Sequence, residues 1–148
     1  MIESQAKGFD VEISDDSEFW GEIAVQGPSS EKKLTDILGL TGLSELEFYT
    51  FREFEWKGKR LIVSRTGYTG EDGFEIYAVN EAIVDIWTLL QKEGVKPCGL
   101  GCRDTLRFEA GLPLYQVAQF DPDGWLQSLL DHAEGRNLPD GYLPATTY

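Results

Sequence analysis

Leu46 to Val79 sets the architecture of the chain, and the segment reads LEFYTFREFEWKGKRLIVSRTGYTGEDGFEIYAV. Its first part, up to Trp56, mixes Phe and Tyr with Glu and Arg, a composition typical of a β-strand. Lys57-Gly58 predicts a turn, and Arg60 to Arg65 then returns as a second strand. The two strands together predict a hairpin.

A glycine-rich loop, Thr66 to Gly73, leads from this hairpin into a third strand, Phe74 to Val79. Asn80 is then predicted to cap a helix that Gly94 ends. One face of this helix should be buried, because its apolar residues recur at the helical period: Ile83, Ile86, Trp87 and Leu90.

The residues ahead of position 46 predict two short strands and a helix. The strands are Val11 to Ile13 and Gly21 to Val25, with an acidic turn between them. Ser29 or Ser30 can cap the helix, and Gly39 ends it. Its apolar face consists of Leu34, Ile37 and Leu38.

A further helix is predicted from about Leu100 to Ala110. Counted from Gly21, the order is β-α-β-β-β-α and then this helix. Such an order favours an α+β fold, with an antiparallel or mixed sheet and helices packed on one face, over a doubly wound α/β fold.

Composition limits the possible partners. The chain has 148 residues, 13 basic and 26 acidic, which gives a formal net charge of −13. This length suits one ordinary domain. An acidic surface repels phosphate backbones and anionic lipid, so neither nucleic acid nor a membrane is an expected partner. A ligand should instead offer hydrogen-bond donors or positive charge. With no apolar stretch long enough to span a bilayer, a cytoplasmic location is expected.

Missing motifs exclude several kinds of chemistry. The chain has one histidine, His132, and two cysteines, Cys98 and Cys102, which make neither a Cys/His zinc pattern nor a disulfide framework. No metal site is therefore predicted. A nucleophile elbow and a phosphate-binding loop of the G-x-x-x-x-G-K-[ST] type are also absent from the sequence.

The glycine-rich loop supports two interpretations. Its glycines, at three-residue intervals, fit an ordinary tight connection carrying solvated acids, or a close approach to another group. On the strand that follows, Glu75 and Tyr77 share one face while Phe74 and Ile76 share the other. Glu75 is either a common exposed strand residue or an acceptor of two parallel N–H bonds from the amidine-like edge of a flat ring, such as a pterin or purine. Tyr68 and Tyr77 are candidate aromatic neighbours of such a ring.

The predicted last helix contributes a second candidate. Arg103 and Arg107 are four residues apart, where like charges repel, so each needs an anionic partner. Asp104 can serve Arg107, and this leaves Arg103 available for a carboxylate elsewhere or for a structural ion pair. Cys98 and Cys102 fall on one stripe with Leu106, so we expect both cysteines to be core residues.

Two long motifs give the chain a family likeness. One is Ser64 to Tyr77, SRTGYTGEDGFEIY, and the other is Lys96 to Tyr115, KPCGLGCRDTLRFEAGLPLY. With the shorter IAVQGP at Ile23 to Pro28, they closely resemble the aminomethyltransferase, or T-protein, of the glycine cleavage system. Two other groups are similar to the sequence. The folate domains of sarcosine and dimethylglycine dehydrogenases resemble it more closely than a related folate-binding group of iron–sulfur assembly does. The K-G-C-Y-x-G-Q-E signature of that last group fits the loop less well.

The resemblance implies a reaction. The family transfers a methylene group from an aminomethyl group, carried on the lipoyl arm of the H-protein, to tetrahydrofolate and releases ammonia. Tetrahydrofolate is then a substrate and the lipoylated H-protein a partner. By the same resemblance Glu75 would hold the donor edge of the pterin, Arg103 would be a second ligand-binding residue, and Tyr68 would lie close to the pocket.

The likeness covers part of the family pattern. No residue here matches the family's catalytic aspartate, so no catalytic residue is assigned and this chain alone is expected to be inactive. Residues 1–115 are predicted to form a partial, central folate-binding domain, and 116–148 a non-family tail. The tail should hold one amphipathic helix with a stripe from Trp125 to Ala133. Cys102 stands where the family usually has alanine.

Two hypotheses remain open from the sequence. The chain is the folate-binding portion of an aminomethyltransferase, or it is a non-catalytic folate-binding or protein-interaction module derived from that family. Apolar surface that neighbouring domains normally cover should also favour a homo-oligomer.

Overall fold

The computed structural model describes residues 6–112 of the chain. Its four strands are β1 (Trp20–Gln26), β2 (Phe51–Trp56), β3 (Lys59–Ser64) and β4 (Gly73–Val79). Its three α-helices are α1 (Ser30–Leu38), α2 (Asn80–Lys92) and α3 (Leu100–Glu109), and a 3-10 turn spans Leu43–Glu45. The strands form one sheet in the order β1-β4-β3-β2, and each neighbouring pair is antiparallel. The predicted α+β fold is confirmed, with an antiparallel sheet.

The core lies on the sheet face that α1 and α2 cover. Fully buried side chains of β3 and β4 meet those of the helices there, and the set comprises Leu61, Val63, Phe74, Ile76, Leu34, Ala82 and Ile86. Burial of each Leu, Ile, Val or Phe side chain contributes roughly 1.5–3 kcal/mol. This face therefore holds the sheet and the two helices together.

The other face of the sheet carries the polar side chains. Strand alternation places Glu75 and Tyr77 of β4 on it, and register adds their neighbours. Glu22 of β1 pairs with Tyr77, while Glu75 pairs with Ala24 of β1 on one side and with Ser64 of β3 on the other. An acidic strip thus crosses β1 and β4 at the sheet edge.

The hairpin turn is as predicted. Lys57 and Gly58 both have positive φ, 49° and 74°, which is the backbone that a two-residue hairpin turn of the primed type needs. Glycine takes this conformation freely and lysine less so. The Lys57 ammonium also lies 4.2 Å from the centre of the Trp56 ring.

Several predicted boundaries were wrong. Val11 to Ile13 is not a strand, since no other strand of residues 6–112 pairs with it. The strand predicted from Leu46 begins only at Phe51, after a turn in which Tyr49 takes a φ of 61°. Asn80 does not cap α2: its side-chain amide donates to the Glu18 carbonyl at 2.7 Å.

The C-terminal ends of α1 and α2 agree with prediction, whereas the predicted serine cap of α1 is wrong. Gly39 follows α1 with a left-handed φ of 72°, and its N–H donates to the Thr35 carbonyl. Gly94 lies just past α2 with a φ of 78°. Ser29 precedes α1 without a side-chain cap bond, whereas the Ser30 hydroxyl donates to the Asp72 carbonyl at 3.4 Å. The predicted tail helix lies outside the described residues.

The two cysteines are not core residues. Both Cys98 and Cys102 are exposed, and α3 has no buried residue. Of the predicted stripe, Leu106 is partly buried whereas the two cysteines are exposed. The sequence spacing of the three residues predicted the stripe, but it could not predict whether other residues bury it. Within that same range, no helix is long and apolar enough to cross a bilayer.

Candidate functional site

Gln26, the last residue of β1, organises the glycine-rich loop. Its side-chain amide donates to the Thr66 carbonyl at 3.1 Å and the Phe74 carbonyl at 3.4 Å. A Cβ atom on Gly67 or Gly73 would lie 2.0 or 2.2 Å from the Gln26 Oε1 atom. A side chain at either position would displace the Gln26 amide, which occupies the space beside both glycines. For these two glycines the close-approach interpretation is the correct one, and the group that approaches them is the Gln26 side chain.

Gly70 lies where the same loop approaches the C-terminal end of α3. Its φ is 73°, in the left-handed region, and a Cβ there would lie 2.4 Å from the Cβ of Ala110. Any side chain would therefore meet both backbone strain and a clash. This close approach places the loop residues around Tyr68 next to α3, the helix that contains Arg103.

An ion pair closes the base of the loop. The Arg65 guanidinium donates to both carboxylate oxygens of Asp72, at 2.9 and 2.8 Å, and also to the Leu46 carbonyl at 3.0 Å. The hydrogen bond to Asp72 raises the pKa of Arg65. The Asp72 carbonyl accepts from the Gly27 N–H at 2.7 Å. Asp72 is thus a structural residue rather than a solvated acid.

Glu75 lies above this loop on the uncovered face of the sheet. It is half-buried, and its Oε2 atom accepts hydrogen bonds from the Thr66 hydroxyl and, at 3.5 Å, from the Tyr77 hydroxyl. The Thr66 hydroxyl also contacts the Ser64 hydroxyl at 2.7 Å. Both bonds to the carboxylate fall on one oxygen, and they orient it. The geometry suits a carboxylate held in place to accept further N–H groups.

Arg103 and Tyr68 form a pair beside this carboxylate. The Arg103 guanidinium carbon lies 4.8 Å from the centre of the Tyr68 ring, a distance typical of a cation–π contact. Arg107 donates instead to Asp104, at 2.6 Å, as predicted from their spacing. Arg103 therefore remains on the side of α3 that faces the loop.

Glu75, Tyr68 and Arg103 all line one cavity. It has a volume of about 200 Å³ and runs around the β1 edge of the sheet to the segment that joins α2 to α3, where Lys96 and Cys98 complete its wall. A second hollow of about 310 Å³ shares Tyr68 and Arg103 with it. Small-molecule pockets usually measure about 300–1,000 Å³. The first cavity alone suits the flat end of a ligand whose remainder extends outside.

Two titrating groups mark the acidic side of the cavity. Partial burial, followed by the nearby Glu75 carboxylate, raises the pKa of Glu22, while the positive charge of Arg103 opposes the shift. Burial, followed by the charges of Glu75 and Glu22, raises the pKa of the Tyr77 hydroxyl. Glu22 and Glu75 thus form a pair of like charges, which a bound hydrogen-bond donor would stabilise.

Glu22 and Lys96 are the residues that the sequence analysis missed. The missed signal for Glu22 was strand alternation in β1, which places it on the face opposite the buried Ile23. Lys96 carried no periodic signal, because it lies between α2 and α3. Its presence, with Arg103, gives the cavity a positive side as well as an acidic one.

No group of three or more His, Cys, Asp or Glu residues is arranged to hold a metal ion in the part of the chain that the structure describes.

Fold and cavity together define an α+β domain with a cavity whose acidic edge faces a pair of stacked cationic and aromatic side chains. A family model described as the GCVT N-terminal domain matches residues 1–122. The chain therefore belongs to the aminomethyltransferase family of the glycine cleavage system.

Known relatives agree. An aminomethyltransferase of Lysinibacillus sphaericus is 48% identical over 120 residues, which is 78% of this chain and 32% of the relative. One of Leptospira biflexa is 50% identical over 109 residues, 71% of this chain and 29% of the relative. The chain thus spans about a third of the length of these relatives.

A solved structure shares the fold. The crystal structure of the glycine cleavage system aminomethyltransferase T from Bartonella henselae is 38% identical, with a TM-score of 0.59. The similarity covers 76% of this chain and 30% of that one. At this identity the likeness supports common descent as well as a common fold.

Proposed function

We propose that this chain binds tetrahydrofolate as the folate-binding part of an aminomethyltransferase. The complete reaction would move a methylene group from aminomethyl-lipoyl H-protein to tetrahydrofolate and release ammonia, in the cytoplasm. The chain spans about a third of its relatives, so folate binding, and not turnover, is the activity that we assign to it alone. The predicted division after residue 115 stays part of this proposal.

The observation that carries the proposal is the placement of Glu75. Its carboxylate is oriented by two hydroxyls and borders the cavity. A pterin presents two neighbouring N–H donors on one edge, and a carboxylate accepts such a pair in the same manner as it accepts an arginine. Glu75 would then fix the ring in one orientation.

The other walls of the cavity suit the remainder of the ligand. The Tyr68 ring, with the Arg103 guanidinium at 4.8 Å, offers a flat surface beside the pterin. Lys96 and Arg103 both line the cavity, and Arg103 also borders the second hollow, so they supply positive charge where the remainder of the folate leaves the cavity. The ligand is thus matched by acid at its donor edge and by cations beside the part that extends outside.

Calorimetry with tetrahydrofolate tests this proposal. Glu75→Ala should weaken binding by on the order of 2–4 kcal/mol, about 30- to 1,000-fold, because each hydrogen bond to a charged group is worth roughly 1.5–3 kcal/mol. Glu55→Ala is the matched control, since Glu55 lies on the same sheet face but on the far strand β2. An unchanged dissociation constant in Glu75→Ala would remove this residue from the site.

A protein-interaction module is the second candidate function. It is favoured by an exposed aromatic patch of Phe48, Tyr49 and Phe51, whose exposed fractions are 51%, 68% and 67%. Clustered exposed aromatic residues often mark interfaces, and self-association through them would give the homo-oligomer. Small-angle scattering that reports a monodisperse monomer would contradict the homo-oligomer. Absence of folate binding, together with a partner at this patch, would favour this candidate over the first.

A further inference from the structure

β1 is an edge strand, and half of its backbone groups face away from the sheet. In the part of the chain that the structure describes, β4 is the only strand that pairs with β1. Just past one end of β1 the Gly27 N–H donates to the Asp72 carbonyl at 2.7 Å, and at the other end the Asn80 N–H donates to the Phe19 carbonyl at 3.0 Å. Backbone groups of an antiparallel strand point alternately to either side, so these two bonds determine which residues of β1 face outward. The outward-facing residues are Glu22, Ala24 and Gln26.

Ala24, at the centre of this outer edge, borders the candidate cavity. Its neighbours Ile23 and Val25 line the same cavity, and so do Trp87 and Leu90 of α2. Ile23 and Val25 are buried on the core side of the sheet, so this side of the edge is apolar. An exposed strand edge is a template on which a further extended chain can pair.

The opposite side of the same edge is acidic. Ala24 pairs with Glu75, and Glu22 lies on the same polar face two residues earlier. A strand added beyond β1 would lie about 10 Å from β4, which is two strand spacings. Because only the methyl group of Ala24 lies between them, a long side chain from the added strand can reach the Glu75 carboxylate. A guanidinium suits this carboxylate, since the two planar groups form two parallel hydrogen bonds.

We propose that the outer edge of β1 binds an extended segment of another protein, antiparallel to β1 and with an arginine opposite Ala24. The backbone N–H of that arginine donates to the Ala24 carbonyl, and the Ala24 N–H donates to the arginine carbonyl. The residues on either side of the arginine are apolar and pack on the side that carries Trp87 and Leu90. Two residues after the arginine, a lysine lies opposite Glu22. The partner segment thus alternates apolar and basic residues, and its charge also complements the net charge of −13.

Two cations of the cavity oppose this partner. Arg103 and Lys96 both line the cavity, and the Arg103 guanidinium carbon lies 4.8 Å from the centre of the Tyr68 ring. Binding requires Glu22 and Glu75 to outweigh their repulsion. Arg103→Gln should therefore bind the segment roughly 1.5- to 5-fold more tightly. The proposed function predicts the opposite effect of this variant on tetrahydrofolate, so the two proposals are distinguishable.

Fluorescence anisotropy of a labelled peptide, Thr-Val-Arg-Val-Lys, tests the proposal with the full chain. Replacing its arginine by citrulline, which has nearly the same shape without the charge, should weaken binding by about 10- to 150-fold. Methylating the backbone nitrogen of the arginine removes one bond to β1 and should weaken binding by about 2- to 10-fold. Equal affinity for the three peptides, or no change in anisotropy at millimolar chain, would overturn the proposal.

Ala24→Ile tests the route to Glu75 from the protein side. Isoleucine favours a strand, and its larger side chain would block the space above Ala24. The variant should bind the arginine peptide several-fold more weakly, whereas Glu55→Gln, on the far strand β2, should bind it as the natural chain does. Equal binding by Ala24→Ile and the natural chain would exclude this edge as the site.

Amide hydrogen exchange tests the strand pairing itself. Exchange of the Ala24 amide should slow several-fold when the peptide binds, while the Val25 amide, which faces β4, should keep its rate. An Ala24 amide that exchanges equally fast with and without the peptide would contradict pairing along β1. These peptide assays contain no folate, so their outcome is independent of the proposed function.

Discussion

Replacing Gly67 by alanine should destabilise the fold through one identifiable contact. The new Cβ atom would lie 2.0 Å from Oε1, 2.6 Å from Cδ and 2.8 Å from Nε2 of Gln26. Separations this short cannot persist, so the Gln26 amide would have to leave its place between the Thr66 and Phe74 carbonyls. The backbone of Gly67 itself does not require glycine, since its φ is not positive.

The magnitude follows from two opposing effects. Overpacking costs roughly 1–3 kcal/mol, and each hydrogen bond that Gln26 loses costs about 0.5–1.5 kcal/mol. Alanine also lowers the conformational entropy of the unfolded chain, which raises the free energy of unfolding by about 0.4–1 kcal/mol. The net loss in the free energy of unfolding should therefore be on the order of 1–6 kcal/mol.

Urea denaturation of a double-mutant cycle measures this loss. In Gln26→Ala the crowding atoms are gone, so adding Gly67→Ala should cost less than about 0.5 kcal/mol or should stabilise slightly. Gly101→Ala serves as a control, because a Cβ there meets open space and alanine favours the helix. An equal cost of Gly67→Ala with and without the Gln26 side chain would refute the reasoning.

Two further predictions concern charge. Since the pKa of Glu22 is raised in the folded chain, its contribution to stability is present below the unfolded pKa of about 4.3 and is lost as pH rises through the folded value. Glu22→Gln should therefore stabilise the chain at pH 7 by a few tenths of a kcal/mol, roughly the range of exposed charge interactions. Thermal unfolding should show the gain vanish near pH 4, and the same gain in Glu55→Gln would contradict the assignment. Asp72→Asn should lower the urea midpoint by the equivalent of about 1–3 kcal/mol, because it weakens the bidentate bonds from Arg65. Asp36→Asn is the control, because the Asp36 carboxylate forms an exposed ion pair on α1. An equal loss of stability in Asp36→Asn and Asp72→Asn would contradict the role of Asp72.

Local patterns predicted much of the fold. The alternation from Phe74 to Val79 identified β4 and both of its faces, and the helical period identified α2. Lys57-Gly58 identified the hairpin turn. These features depend on neighbouring residues only, so a single sequence contains them. Val11 to Ile13 failed because three alternating residues do not make a strand without a partner.

The candidate site was predictable in part. Glu75, Tyr68 and Arg103 came from motifs, and the structure brings all three to one cavity. Glu22 depends on the register between β1 and β4, which joins residues about fifty positions apart. No local pattern contains that pairing. The position of Gln26 inside the loop depends on the same register. The sequence alone therefore could not show that Gly67 and Gly73 make room for the Gln26 side chain.

Cys98 and Cys102 mark the limit of periodicity. Their spacing predicts that they share a helix face, but only Cys102 lies in α3, because the helix begins at Leu100. Whether a helix face is buried depends on what packs against it, and both cysteines are exposed in the part of the chain that the structure describes. The burial of an apolar stripe therefore depends on the residues that pack against the helix as well as on the helix itself.

The central claim is that the cavity beside Glu75 receives the pterin end of a folate. Amide NMR spectra of the labelled chain, titrated with tetrahydrofolate under reducing conditions, locate the ligand directly. The account predicts shifts in the loop from Thr66 to Gly73, at Glu75 and at the start of α3 around Arg103. Shifts confined to the aromatic patch around Phe51, or spectra unchanged at saturating folate, would contradict it.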